Sequence, residues 1–211
     1  MKRTIFIISF CCLTAFLQGE ELSRLDTLKL LLAEEKTDTG RIILYYRIAH
    51  EFQNIDIDAS SEFARKALAE AEQIKYLKGK GRAIIQLGNI EQIKGNPGES
   101  EKYNLEALEI CNEIHDLAGV AICYNNLGIS AHNRNDYRKA LNFYKKSLEI
   151  NRSINRKSGS ATSLFSIGTV YDNLGRYDSA LVYYIEAQAI SESINDAGLM
   201  AYSNVSMANV Y

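Results

Sequence analysis

Residues 161–190, ATSLFSIGTVYDNLGRYDSALVYYIEAQAI, decide the architecture. Leu164, Ile167, Gly168 and Tyr171 fall on one side of a predicted helix that Gly175 ends. Tyr177, Ala180, Tyr184 and Ala187 mark one side of a second. Two helices joined by a short turn cannot bury both apolar faces alone, so they need a copy of themselves alongside. Forty residues upstream stand Tyr124, Leu127, Gly128, Tyr137, Ala140, Tyr144 and Ser147. Another forty back are Ile84, Leu87, Gly88, Gly95, Ser100 and Ala107. Forty downstream, Met207, Ala208 and Tyr211 restart the pattern. The fixed period of 40 predicts an all-α chain, a solenoid of antiparallel helix pairs.

The frame places repeats at about 41–79, 81–119, 121–159 and 161–199, with a half repeat at 201–211. In the first, Tyr45, Ile48, Ala49 and Phe52 sit one residue out of phase, while Ser60, Ala64 and Ala67 return to it. A connecting loop one residue shorter would absorb the slip. The second repeat has Pro97 where others carry an aromatic, and Asn104 replaces the large aromatic of its second helix, which predicts weaker packing. Asn135 and Gly175 follow first helices as residues that tolerate the left-handed conformation. Gly79, Gly119, Gly159 and, one place earlier, Gly198 read as parts of polar turns closing the second helices. Gly88, Gly128, Gly168, Ala140 and Ala180 mark close helix crossings, with tyrosines filling gaps between neighbouring pairs. That accounts for 13 Tyr and no Trp.

Ahead of the array, residues 20–40 read as a leading or capping helix over about 21–35, with Leu22, Leu25, Leu28 and Leu32 at helical spacing. Asp38 or Thr39 is placed to cap the helix that follows. Residues 1–19 begin with Lys2 and Arg3 and continue as an apolar run from Thr4 to Leu17. Such a run suits a signal-peptide core and is short for a bilayer span, so we expect an exported protein on the periplasmic or extracellular side. Gly19 offers a small residue for cleavage before Glu20. Anchoring through Cys11 or Cys12 is a weaker reading, because Phe10 precedes Cys11.

The formal net charge is −2, and without Lys2 and Arg3 there are 22 basic against 26 acidic residues. With no basic run, no nucleic-acid partner is expected, and a membrane partner only through a segment outside this sequence. Cys111 and Cys123 read first as small, semi-buried apolar residues, with a bridge as the alternative.

The stretch LFSIGTVYDNLGRYDSALVYYIEA resembles the tetratricopeptide repeat, a leucine–glycine–tyrosine first helix followed by an alanine–aromatic–alanine second helix. The resemblance covers about residues 41–211. It departs in its 40-residue period, where the family's is about 34, and in lacking the proline after each second helix. The longer period suggests extended second helices and longer links. The resemblance implies a superhelix whose first helices line a concave groove for a peptide, a partner helix or another part of the same protein. Carried onto this chain, groove positions are Tyr46 and His50, then Arg82, Asn89 and Gln92. Asn125, His132 and Asn133 follow, then Thr169, Asp172 and Asn173, and finally Asn209. Asparagine both donates and accepts, so such a lining suits a peptide backbone; a merely solvated polar face is the alternative. The basic clamp of some family members is not evident, since Arg82 alone is cationic among these positions.

His50, His115 and His132 form no metal-binding spacing, and no GxSxG, phosphate loop or paired-carboxylate motif appears. No cofactor and no enzymatic activity are expected within these residues. Tyr202, Val205, Met207, Val210 and Tyr211 would leave an apolar face open, burial worth about 1.5–3 kcal/mol per large side chain. We therefore expect a longer protein with a downstream effector. The pattern resembles the sensory part of bacterial tetratricopeptide-containing sensor histidine kinases. A self-contained periplasmic or secreted scaffold, or a different catalytic domain downstream, are the alternatives.

Overall fold

A computed structural model describes residues 23–210; the leader expected over 1–19, Leu22 and Tyr211 lie outside the described residues. The described residues form ten helices and no strand. They are α1 (Arg24–Glu34), α2 (Asp38–Phe52), α3 (Ile57–Gln73), α4 (Leu77–Ile93) and α5 (Pro97–Glu113). Then follow α6 (Leu117–Asn133), α7 (Tyr137–Ser153), α8 (Lys157–Asn173), α9 (Tyr177–Ser193) and α10 (Ala197–Val210). From α3 to α9 each helix has 17 residues, and three-residue links join them, which produces the period of 40. The additional length therefore lies in both helices of a pair, and the longer links expected from the period are absent.

The links are tight because one residue in each takes a left-handed conformation. After first helices it is Gly95, Asn135 or Gly175; after second helices it is Lys75, His115, Asn155 or Asn195. Gly79, Gly119 and Gly159 are not in turns, as read from sequence; they lie in the first turn of the next helix. Their lack of a side chain makes room instead. A Cβ on Gly119 would stand 2.5 Å from Cys111 Sγ, and one on Gly159 would overlap the Asn151 amide.

The phase slip of the first repeat is present. Ala49 is fully buried where the later repeats carry Gly88, Gly128 and Gly168, and one residue fewer separates it from the next helix. The loop itself is not shorter, as expected from sequence, but one residue longer, 53–56. α2 ends three residues after Ala49 where α4 runs five past Gly88, and this link has no left-handed residue. Thr37, not Asp38 or Thr39, caps α2, its hydroxyl accepting from Gly40 N at 3.1 Å. Asp56, Asp116 and Asp136 cap α3, α6 and α7 in the same way.

Each helix packs on its neighbours in sequence. First helices (α2, α4, α6, α8, α10) also pack backbone to backbone on the next first helix. Second helices stand farther apart and meet through long side chains, as in the ion pairs Lys139–Glu101 at 3.0 Å and Arg152–Glu186. First helices therefore form the inner layer. Leu28 of α1 packs with Leu44 and Ile48 of α2, covering the leading end. The largest apolar cluster joins Ala131, Ala140, Tyr144, Leu148, Leu164, Ile167, Val170 and Ala187 across the third and fourth repeats. Tyr144 and Tyr184 lie inside their own pairs, over Gly128 and Gly168, and Tyr144 also belongs to the cluster that joins the repeats. Cys111 and Cys123 are both buried and unbridged in the second cluster.

Candidate functional site

The inner layer carries a polar strip, and the repeat geometry decides its composition. A position recurring every 40 residues recurs at the same height on each first helix. Polar side chains there meet partners 33, 37 and 38 residues back in the chain, displaced by 2 to 7 residues from their own counterparts across the repeat boundary. Asn126 Nδ2 donates to Asn89 Oδ1 at 2.7 Å and to Asn104 Oδ1 at 2.9 Å. Ser130 Oγ donates to Gln92 Oε1 at 3.0 Å, and Gln86 Nε2 to Gln53 Oε1 at 3.0 Å. Asn104 is fully buried against Gly88 and donates to Ser100 O. Repeat two thus fills with amides the volume that Tyr144 and Tyr184 fill with rings.

The positions inferred from sequence differ in how far the fold already engages them. Asn89, Arg82 and Thr169 are spent on internal bonds, and Gln92 is half engaged, its Oε1 accepting from Ser130 while its buried Nε2 has no partner. Arg82 binds Asp116 Oδ2 at 2.7 Å with both side chains mostly buried, and Thr169 Oγ1 donates to Phe165 O. Tyr46 is half-buried against the Ile42–Ala67–Ala71–Ala83 cluster, where burial pushes its phenol up. His132 faces Asn173 Nδ2 at 2.6 Å and stacks edgewise near Tyr137; burial pushes its imidazole below the usual range. Asp172 receives the Tyr184 hydroxyl at 3.5 Å. His50 and Asn133 are exposed. Asn125 is half-buried, and its buried Oδ1 has no partner. The Asn209 side chain lies outside the described residues.

Asn125 is the position that leads to a pocket. With Ile122, Ser147, Asn151, Arg156, Ser158, Gly159 and Thr162 it lines a cavity of about 110 Å³ between α6, the end of α7 and the start of α8. Asn151 is 2% exposed, and its Oδ1 also lacks a partner. Its orientation is fixed: Nδ2 donates to Ser147 Oγ at 3.2 Å, and Ser147 spends its own proton on Ala121 O at 2.8 Å. An orphaned buried amide oxygen costs about 1–3 kcal/mol. Arg156 is half-buried, with no carboxylate within ion-pair distance among the described residues. Burial, then nearby Arg82, hold its guanidinium below the usual range, with Asp116 opposing. Arg156 also occupies the residue before α8, where it supplies no cap. Its counterparts Asp116 and Asp196 both accept from the following helix.

Sequence reasoning missed Asn126, Ser130, Asn151 and Arg156. Asn126 adjoins Asn125, and nothing in the sequence marks it as the residue that bridges to Asn89 and Asn104. Asn151 and Arg156 had a signal in the frame itself: they stand where other repeats have Ala71, Cys111 and Ser191, and Tyr76, Asp116 and Asp196.

Two tetratricopeptide-repeat family models match residues 81–153 and 161–194, together half of the chain. The chain belongs to the tetratricopeptide-repeat family. A comparison with curated proteins gives no match. Among solved structures it is similar to BtubC from P. vanneervenii, at 20% identity and a TM-score of 0.63, covering 82% of this chain and 75% of that one. It is also similar to a Rap protein complexed with competence and sporulation factor, at 17% identity and a TM-score of 0.76, covering 85% and 51%. A third is a signal transduction ATPase with a tetratricopeptide repeat sensor from Pyrococcus horikoshii, at 20% and 0.66, covering 87% and 30%. The chain spans about half or less of the latter two. At these identities the likeness is one of fold, and it agrees with the all-helical solenoid above.

Proposed function

We propose that this tetratricopeptide array is a non-catalytic binding scaffold whose first-helix face takes an extended peptide segment. We further propose that it serves as the exported input part of a longer two-component signalling protein. The observation that carries the binding reading is the polar first-helix strip, where exposed His50 and Asn133 stand with the unpartnered Asn125 Oδ1 and Gln92 Nε2. A peptide backbone offers alternating donors and acceptors that such a strip can meet without reading sequence. Two of the similar structures support the reading, the Rap protein in complex with competence and sporulation factor and the ATPase with a tetratricopeptide repeat sensor. Ligand binding would act by favouring one curvature or pairing of the array over another.

A peptide array probed with the purified chain, followed by NMR mapping of a selected peptide, tests the first part. Shifts are expected at Asn89, Asn125, His132 and Asn173; shifts confined to second helices would sink the reading. Export is tested by fusing residues 1–40 to alkaline phosphatase, where activity outside the cytoplasm is expected and inactive fusion protein overturns it. The signalling role is tested by sequencing past the codon for Tyr211: a membrane span with kinase motifs is expected, and a different continuation favours the plain scaffold.

A further inference from the structure

The pocket between the third and fourth repeats breaks the repeat pattern in three places at once. Asn125 stands where its counterparts are Ile85, Phe165 and Val205. Asn151 and Arg156 replace small and acidic or aromatic counterparts, as described above. Each of the three changes carries a cost to the fold. Asn125 and Asn151 each bury an amide oxygen without a partner, and Arg156 removes the cap that Asp116 gives α6. The N–H groups of Lys157, Ser158 and Gly159 precede the first bond of α8, Ser160 N to Arg156 O, and no side chain accepts from them. The site therefore holds a cation without an anion, helix N–H groups without an acceptor, and amide oxygens without a donor.

The geometry points to a subsite for a carboxylate-bearing residue, an acidic residue of the bound peptide or a free acidic amino acid. Its carboxylate takes the place of the missing cap on α8, between Arg156 and the N–H groups of Ser158 and Gly159. Its N–H group meets the amide oxygens of Asn151 and Asn125. Asn151 presents an acceptor because Ser147 fixes its other end, whereas Asn125 makes no bond that fixes its amide and can turn to donate or accept. The cavity, about 110 Å³, suits one residue. Asp116 does not compete for Arg156, since it is held by Arg82 at 2.7 Å and by Gly119 N at 3.1 Å. In its peptide form this subsite rests on the binding reading above and adds the chemistry that one position of the groove selects.

The test is an NMR titration of the purified full chain with three probes up to about 10 mM, a range that reaches millimolar affinities. The probes are N-acetyl-alanyl-glutamyl-alaninamide, its glutaminyl analogue and L-glutamate. The glutamyl peptide is expected to shift the Asn125 and Asn151 side-chain amides and the Ser158 and Gly159 N–H resonances, and the glutaminyl peptide is expected not to. Arg156→Gln should weaken the effect roughly tenfold or more, as expected for a charge-assisted bond. Asn125→Ile and Asn151→Cys install the residues of the second repeat, so both should fold and still lose binding. A response to glutamate alone assigns the site to a free amino acid, and a response to the peptide alone assigns it to a peptide residue. Equal response to the glutaminyl peptide, a response that survives Arg156→Gln, or none from either carboxylate probe overturns the subsite. Array-selected peptides that bind the first-helix face regardless of Arg156→Gln would remove the subsite and leave the binding reading intact. Glutamate bound here with no peptide bound anywhere would do the reverse.

Discussion

A single methyl group tests the reading of the glycine stripe. A Cβ on Gly168 would stand 2.7 Å from two ring atoms of Tyr184, itself 1% exposed, and 3.3 Å from Ala180 O. Gly168→Ala should therefore lower stability by about 1–3 kcal/mol through overpacking, although the same change in an open helix raises it. Gly98, in α5 with nothing near its missing Cβ, is the control and should gain up to about 1 kcal/mol. Urea unfolding of both variants decides the matter, and a gain at Gly168 would mean that the ring is not seated there. The stripe itself was legible because glycine repeated in phase with leucine. Which atoms it makes room for was not, since period alone does not distinguish a helix crossing from a tyrosine ring laid over the gap. His132 gives a second test. Its folded imidazole sits below the usual value through burial, so the unfolded chain takes up a proton first as pH falls. Stability should decline from about pH 6.5 downward, over the window between the unfolded and folded values, and be fully present above it. Comparing urea midpoints at about pH 7.5 and pH 5.5 should show that slope, with His132→Gln flattening its share; an unchanged slope would place His132 in the open.

At the scale of elements, the links explain why some boundaries could be read and others could not. Asn135 and Gly175 announce left-handed residues by their identity, and both have positive φ. Lys75 and His115 do the same work after second helices with no compositional sign, so the sequence points instead to the nearby Gly79 and Gly119. Those glycines serve helix packing instead. The left-handed backbone costs an L-residue roughly 1–2 kcal/mol. Lys75→Gly should thus raise stability by about 0.5–1 kcal/mol after the added freedom of the unfolded chain is set against it. A shift of the urea midpoint upward is expected, and a downward shift would show that the Lys75 side chain contributes more than its backbone costs. The pocket belongs to this scale too. Its residues come from the end of one helix, the link and the start of the next, and a face-by-face reading of first helices finds Asn125 and passes over Asn151 and Arg156.

At the scale of the whole molecule, stability in an array is a sum of repeats and the interfaces between neighbours, so it need not be uniform. The third and fourth repeats share the largest apolar cluster, with Tyr144 and Tyr184 fully buried. The second repeat buries Asn104 and leaves Gln92 Nε2 without a partner, replacing ring contacts with amide bonds whose net worth is about 0.5–1.5 kcal/mol each. The leading helix buries Leu28 alone. Native-state hydrogen exchange should therefore show protection highest in α6–α8, falling across α4 and α5 and lowest in α1. Filling the second repeat as its neighbours are filled, with Asn104→Tyr, would place a ring over Gly88 and remove the acceptor of Asn126 at 2.9 Å. Asn126 keeps Asn89 at 2.7 Å, so the substitution is expected to raise protection in α4 and α5 without isolating a buried donor. Uniform exchange from α1 to α9 would mean that the array unfolds as one unit, and the repeat-by-repeat account of its stability would then fail.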